Sequence, residues 1–213
     1  SLMGHKVTVY ESRKQLGGML RYGIPSYRLP REELQKDIDA ILATGVEVKL
    51  GVAVGKDISL AELHRRYDSV YIAIGAHTDK KVGIEGEDAR GVISAVEMLR
   101  AIGDGNMPDF TGKRVAVIGG GNVAMDCTRS AIRLGAKTVS VVYRRRQQDM
   151  TALAEEVEGA MAEGAELLTM MAPVRIEADK DDNVTALWVQ PQRVGAIDRA
   201  GRPRPEKAAE PEV

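Results

Sequence analysis

Cysteine is almost missing from this chain: its 213 residues contain one, Cys127. A lone thiol excludes an internal disulfide, a Cys-x-x-Cys redox pair and a cysteine-ligated iron–sulfur cluster within these residues. Excess charge of either sign is missing too. A formal net charge of -1 gives no general electrostatic reason to expect nucleic acid or a membrane surface as partner. No apolar run of about 18 residues appears, and no signal peptide opens the chain, so the cytoplasm is the default compartment. The three histidines, His5, His64 and His77, stand in no arrangement that suggests a catalytic group or a metal site. What remains is ordinary soluble material, 44% apolar and 29% charged, of a length that suits one large domain or two small ones.

Against that plain background one stretch stands out. Arg114-Val115-Ala116-Val117-Ile118 runs without a gap into Gly119-Gly120-Gly121, and helical periodicity follows from Asn122 through Val123, Ala124, Met125 and Asp126. A strand, a tight turn and a helix start are written this way. Glycine removes the Cβ that would hold the backbone away from a pyrophosphate, and a helix start offers unpaired N–H donors. Read as Gly-x-Gly-x-x-Ala, the stretch puts Gly119, Gly121 and Ala124 at the turn, approach and packing positions of a dinucleotide-binding unit. A bare αβ turn without a ligand is the alternative. Cys127 falls inside the following helix, where a buried structural thiol is expected.

The second strand expected of that unit is Lys137-Thr138-Val139-Ser140-Val141-Val142-Tyr143, and at its end stand Arg144-Arg145-Arg146. An acid here would bind ribose hydroxyls, whereas guanidinium groups match a 2′-phosphate. Position therefore favours NADP(H) over NAD(H), with a solvated basic cluster and an RNA contact as alternatives. Residues 151–164 read as the next helix and 166–170 as the next strand, continuing the alternating pattern. A hairpin follows, 174–178 and 184–189, around Lys180-Asp181-Asp182-Asn183. The tail 195–213, rich in proline, arginine and glutamate, reads as extended or disordered.

Upstream, Lys6-Val7-Thr8-Val9-Tyr10-Glu11 reads as a strand ending in a carboxylate. An acid at such a tip accepts hydrogen bonds from a ribose diol, but its glycine turn should lie about 20 residues earlier. Glu11 is thus either an ordinary strand end or the remnant of a unit whose first βα segment is missing. Residues 16–30 carry too many glycines and prolines for regular structure, yet too many apolar groups for a plain loop. They suit either a loop lying along a flat ligand or a packed surface loop. Helices are expected at 31–44, with Leu34, Ile38, Ile41 and Leu42 on one face, and after an N-cap at Ser59 through Arg66. A strand at 46–50 and one buried on both faces at 69–76, ending near Gly75, complete this part. Residues 84–91 read as a crossing between domains, and a helix is expected near 94–102.

Together these motifs resemble the glutamate synthase small (β) subunit family, whose relatives include dihydropyrimidine dehydrogenase and the ferredoxin–NADP transhydrogenases. The resemblance is carried by Gly17-Gly18-Met19-Leu20-Arg21-Tyr22-Gly23-Ile24-Pro25 with Arg28-Leu29-Pro30, by Ala73-Ile74-Gly75-Ala76 and by Gly86-Glu87-Asp88. The segment Gly119 to Asp126, Tyr143-Arg144-Arg145-Arg146 and Ala154-Glu155-Glu156-Val157-Glu158 complete it. It implies an α/β fold: a Rossmann-like NAD(P)-binding domain with a parallel sheet, over residues 94–213. This would be joined to a partial FAD-binding domain of the two-dinucleotide-binding-domain flavoprotein type, over residues 1–93.

The implied activity is hydride transfer from NADPH to FAD, with electrons passed on to iron–sulfur clusters and a larger partner subunit. Glu11 would hold the FAD adenosine ribose, Gly17 and Gly18 would approach the flavin cofactor, and Ile24 and Pro25 would lie beside its ring region. Gly75 would line the same site. Gly119, Gly121, Asn122, Val123 and Ala124 would hold the NADPH pyrophosphate, with Arg144 and Arg145 on the 2′-phosphate. No side chain need act as acid or base, because hydride transfer between cofactors is mainly positioning. The family's cysteine-rich domain, first FAD glycine turn and returning C-terminal segment do not appear, so the chain reads as an internal fragment. Weak or absent FAD binding is expected, with NADPH binding retained. The alternative is a nucleotide-binding module without chemistry; a thioredoxin reductase is weaker still, since it needs the missing Cys-x-x-Cys.

Overall fold

The computed structural model describes residues 1–199 and 201–213. Two compact units emerge, Ser1–His77 and Thr78–Val213. Residues 78–93, grouped with the first domain on sequence grounds, cluster with the second unit. Backbone bonds tie them there: Ile176 N–H donates to the Glu85 carbonyl at 2.8 Å and Arg90 N–H to the Asp182 carbonyl at 2.8 Å.

In the first unit, β1 (Thr8–Glu11) pairs in parallel with β2 (Glu47–Leu50), Glu11 lying opposite Leu50. Residues 16–30 are not irregular throughout, as their composition suggested. A short helix, α1 (Gly18–Tyr22), forms inside them, entered through Gly17 at φ 120°, a backbone state that favours glycine. The Arg31 guanidinium fastens the turn after it by donating to the carbonyls of Leu20 at 3.0 Å and Ile24 at 2.8 Å. Tyr22 and Pro25 are buried, so the segment packs on its own unit. Next, α2 (Arg31–Leu42) buries Leu34 and Ile38 but leaves Ile41 exposed. The helix α3 (Leu60–Arg66) is capped as its sequence says, with Glu62 N–H donating to Ser59 Oγ.

The expected strand at 69–76 does not form. Tyr71 is 92% and Ile74 75% exposed. A buried strand needs a hydrogen-bonded neighbour on its flank, and among the described residues the sheet of this unit holds β1 and β2 alone. The apolar pattern is that of a strand, but nothing pairs with it.

The second unit is better filled. After α4 (Ala95–Gly103), capped by Ser94, β3 (Arg114–Ile118), β4 (Thr138–Tyr143) and β5 (Glu166–Thr169) form a parallel sheet in that order. The connections are α5 (Asn122–Arg133) and α6 (Ala154–Ala162). The amphipathic α5 serves two clusters: Cys127 and Ala131 meet Met98, Leu99, Phe110 and Val139 on one side. Ala124 and Met125 meet Val141, Val157 and Ala160 on the other. Arg129 bridges α5 to α6, pairing with Glu156 at 2.7 Å and Glu163 at 2.8 Å. Arg133 and then Arg129 hold the Glu163 carboxyl below the usual carboxylate range.

One expectation is corrected here and another is narrowed. The helix expected from residue 151 begins at Ala154, because the N–H groups of Thr151 and Ala152 are both drawn to the Gly120 carbonyl at 3.0 Å. Of the two readings of the tail, extended and not disordered holds among its described residues: β6 (Met171–Ala178), β7 (Val184–Ile197) and β8 (Pro203–Lys207) make an antiparallel sheet. Val213 exchanges backbone bonds with Val189 at 2.8 and 3.0 Å. Prolines are tolerated in β8 because it is an edge strand, where the missing N–H costs no ladder bond.

Cys127 is 3% exposed, and burial, then the charges of Asp126 and Asp79, push its thiol up to about 12. The thiolate is the nucleophile, so at pH 8 the native protein should leave a thiol reagent unreacted, and labelling should track denaturant unfolding. Full labelling of the native chain within minutes would contradict this packing.

Candidate functional site

The site is built where β3 ends. Gly119 N–H continues the sheet by donating to the Val142 carbonyl at 3.0 Å, and its φ of 140° turns the chain away from the strand. At Gly120 the constraint is different. A Cβ there would stand 2.6 Å from the Tyr143 ring, which is anchored by its hydroxyl donating to the Asp149 carbonyl at 2.8 Å. The middle glycine thus accommodates an aromatic side chain from the neighbouring strand, a role that the glycine motif alone does not reveal. Gly121 has an ordinary φ of −103°, and a Cβ would meet Thr151 Oγ1 at 3.4 Å. Among the described residues no backbone or ring atom crowds a Cβ at Gly121, so its place in the motif is not explained by internal packing. A Cβ on Gly119 would lie 3.4 Å from that of Ala124, so the small residue at the motif's last position lets α5 start tight against β3.

The helix start itself is open. Gly121 is the N-cap of α5, and no side chain caps it. The first internal bonds are donated by Ala124 and Met125, both to the Gly121 carbonyl, so the N–H groups of Asn122 and Val123 precede them. The Asn122 side chain is used otherwise: its Oδ1 accepts from Leu153 N–H at 2.9 Å and holds the strand-like 151–153 segment beside the turn. Donors at the positive end of a 12-residue helix, on a backbone bare of Cβ atoms, fit a pyrophosphate.

The three arginines at the tip of β4 are divided by their neighbours. Arg146 is spent on Asp149 in a bidentate pair at 2.8 and 2.9 Å. That contact, before any other, lowers the Asp149 carboxyl and raises the guanidinium. Arg145 donates to Asp198 at 3.2 Å from a largely buried side chain, yet its Nη1 is buried without an acceptor. Arg144 is exposed and makes no ion pair among the described residues. Sequence reasoning found the cluster but not the carboxylates that sort it, since Asp198 lies on the turn after β7.

The flavin-type residues lie in the first unit. Glu11 ends β1, and its Oε1 accepts from Arg13 N–H at 2.8 Å. Gly17 and Gly18 open α1; a Cβ on Gly17 would press on Arg21 and Leu34, while the space beside Gly18 is open. Ile24 is half-buried and Pro25 buried in the turn after α1, and Gly75 lies in the exposed 69–76 segment. The fold joins the glycine turn and the arginine tip through adjacent strands. It places Glu11, the α1 loop and Gly75 on separate elements.

A parallel βαβαβ unit with a bare helix start at its first turn and arginines at its second strand tip is a dinucleotide-binding unit of the α/β class. The chain belongs to the pyridine nucleotide-disulphide oxidoreductase family, whose model matches residues 2–196. It is 45% identical over 204 residues to the NADP(+)-dependent formate dehydrogenase subunit beta of Moorella thermoacetica, covering 95% of this chain and 29% of that protein. It is 35% identical over 216 residues to the Glutamate synthase [NADPH] small chain of Escherichia coli K12, covering 97% of this chain and 46% of that one. The chain therefore spans less than half of either relative. Among solved structures, Mycobacterium tuberculosis FprA in complex with NADPH superposes with a TM-score of 0.80 at 21% identity, covering 98% of this chain and 62% of FprA. That likeness shows the fold alone.

The Gly120–Tyr143 contact has a measurable consequence. Gly120→Ala should destabilise the chain by about 1–3 kcal/mol through overpacking. Denaturant unfolding of the Gly120→Ala and Tyr143→Ala single and double variants checks it. The double variant should cost less than the sum of the singles, and strict additivity would contradict the contact.

Proposed function

We propose that this chain is the NADPH-input portion of a cytoplasmic flavin oxidoreductase of the glutamate synthase small-subunit kind, whose electrons continue through iron–sulfur clusters to a larger partner subunit. The observation that carries the reading is the pairing of an uncapped glycine turn with an exposed, unpaired arginine one strand away. Relatives named as beta subunits and small chains support a partner, and their differing names leave the final acceptor to that partner.

In this reading the N–H groups of Asn122 and Val123 donate to the pyrophosphate, and Gly119, Gly121 and Ala124 keep the backbone close. Arg144 meets the 2′-phosphate, and the vacant Nη1 of Arg145 gives it a second donor. Glu11, Gly17, Gly18, Ile24, Pro25 and Gly75 belong to the FAD site of the parent protein. Bound together, the nucleotides would supply the chemistry, hydride transfer between nicotinamide and flavin. The chain's own part is to bind and orient. The exposed 69–76 segment supports weak or absent FAD binding by these residues alone.

Fluorescence titration with NADPH and NADH tests the proposal. Arg144→Ala should weaken NADPH by about 10- to 100-fold, the value of a charge-assisted bond, and leave NADH within about twofold. Equal losses for both would refute the 2′-phosphate role, and stoichiometric flavin absorbance in the purified chain would refute the weak-FAD reading.

A further inference from the structure

The crevice at the tip of β4 holds a residue that the strand-tip motif does not contain. Arg145, Arg146 and Asp149 line it together with Met170, Val194 and the Pro203, Arg204 and Pro205 of β8. The chain reaches this arrangement through a strained joint. Met170 takes a φ of 58°, unusual for a residue with a side chain, and links two partners. Its N–H donates to the Arg145 carbonyl at 3.1 Å, and its carbonyl accepts from Gln192 N–H at 2.7 Å. The arginine tip and the β7–β8 hairpin are thereby held to one backbone node.

Charge then singles out Arg204. Each acid near the crevice already has a cation: Asp149 holds Arg146, Asp198 holds Arg145, and Glu206, two residues along β8, holds Arg193 at 3.1 Å. Arg204 is exposed and makes no ion pair among the described residues. The charged residues lining the crevice, Arg145, Arg146 and Arg204 against Asp149, leave two positive charges, of which Asp198 meets the one on Arg145; a phosphate reached also by Arg144, next in sequence, would balance the remainder. The flanking prolines fix φ on both sides of Arg204, and their partners Ile197 and Val194 on β7 fix the register. Little backbone freedom is left to lose on binding.

We propose that Arg204, presented by the Pro203-Arg204-Pro205 edge of β8, is a further specificity-determining residue that grips the 2′-phosphate of the dinucleotide together with Arg144. This rests on the NADP(H) reading of the strand tip. The hairpin is then part of the nucleotide site, and the phosphate closes a charge gap that the protein's own carboxylates leave.

The test uses the full chain, titrated by calorimetry with 2′,5′-ADP and with ADP, for wild type, Arg204→Ala, Arg204→Lys and Arg144→Ala. An exposed arginine should be replaceable without loss of fold, which thermal melting checks. Arg204→Ala should weaken 2′,5′-ADP by about tenfold, as expected for a charge-assisted bond, and leave ADP within about twofold. Arg204→Lys should recover part of the loss, since the charge survives and the fork does not. If Arg144→Ala loses 2′,5′-ADP while Arg204→Ala binds as wild type, the inference falls and the NADP(H) reading stands. If neither variant discriminates between the two ligands, the reading itself falls. Equal weakening of both ligands by Arg204→Ala would mark a structural role and overturn the inference.

Discussion

The contact on which the site depends is the one between a backbone without a side chain and a ring. Gly120 has no Cβ, so the Tyr143 ring lies against the turn at the end of β3, while the Tyr143 hydroxyl holds the Asp149 carbonyl. Asp149 in turn holds Arg146. One aromatic residue thus links the turn that suits a pyrophosphate to the arginines that suit a 2′-phosphate. The Gly120 carbonyl extends the linkage by accepting from Thr151 and Ala152, which sets where α6 begins. Pre-organisation of this kind limits what a ligand must order when it binds.

Much of the second unit was legible in the sequence, and particular residues show why. A short run with three branched residues, three glycines and a 3.6-residue period specify β3, the turn and α5 locally, with little help from the rest of the chain. Ser59 announced its helix because an N-cap bond is made within three residues, and the Ser94 cap is made the same way. Features settled at long range were not legible. Tyr71, Ile72 and Ile74 have the pattern of a buried strand, but burial requires a neighbour, and pattern does not supply one. The proline-rich tail lacked strand propensity and still pairs with β7, because an edge needs only half its hydrogen bonds. The division of the arginine cluster was hidden likewise, since Asp198 lies 53 residues from its partner Arg145.

The two units carry different weight. The Thr78–Val213 unit has a three-stranded parallel sheet, two helix-lined clusters and an ion-pair network between α5 and α6. The Ser1–His77 unit has a two-stranded sheet, a form that is marginal alone, and exposes apolar residues at 69–76. The flavin-type residues sit in the lighter unit and the nucleotide turn in the heavier one.

The central claim is that one nucleotide spans the glycine turn and the arginine tip. Amide and arginine Nε–Hε shifts of 15N-labelled protein, followed during titration with NADP+ and NAD+, test it most directly. The account predicts that NADP+ moves the amides of Gly120, Gly121, Asn122 and Val123 together with the Arg144 side-chain signal, and that NAD+ at saturation moves the amides but not Arg144. Shifts confined to residues outside the 119–124 turn, or an Arg144 signal indifferent to both nucleotides, would contradict it.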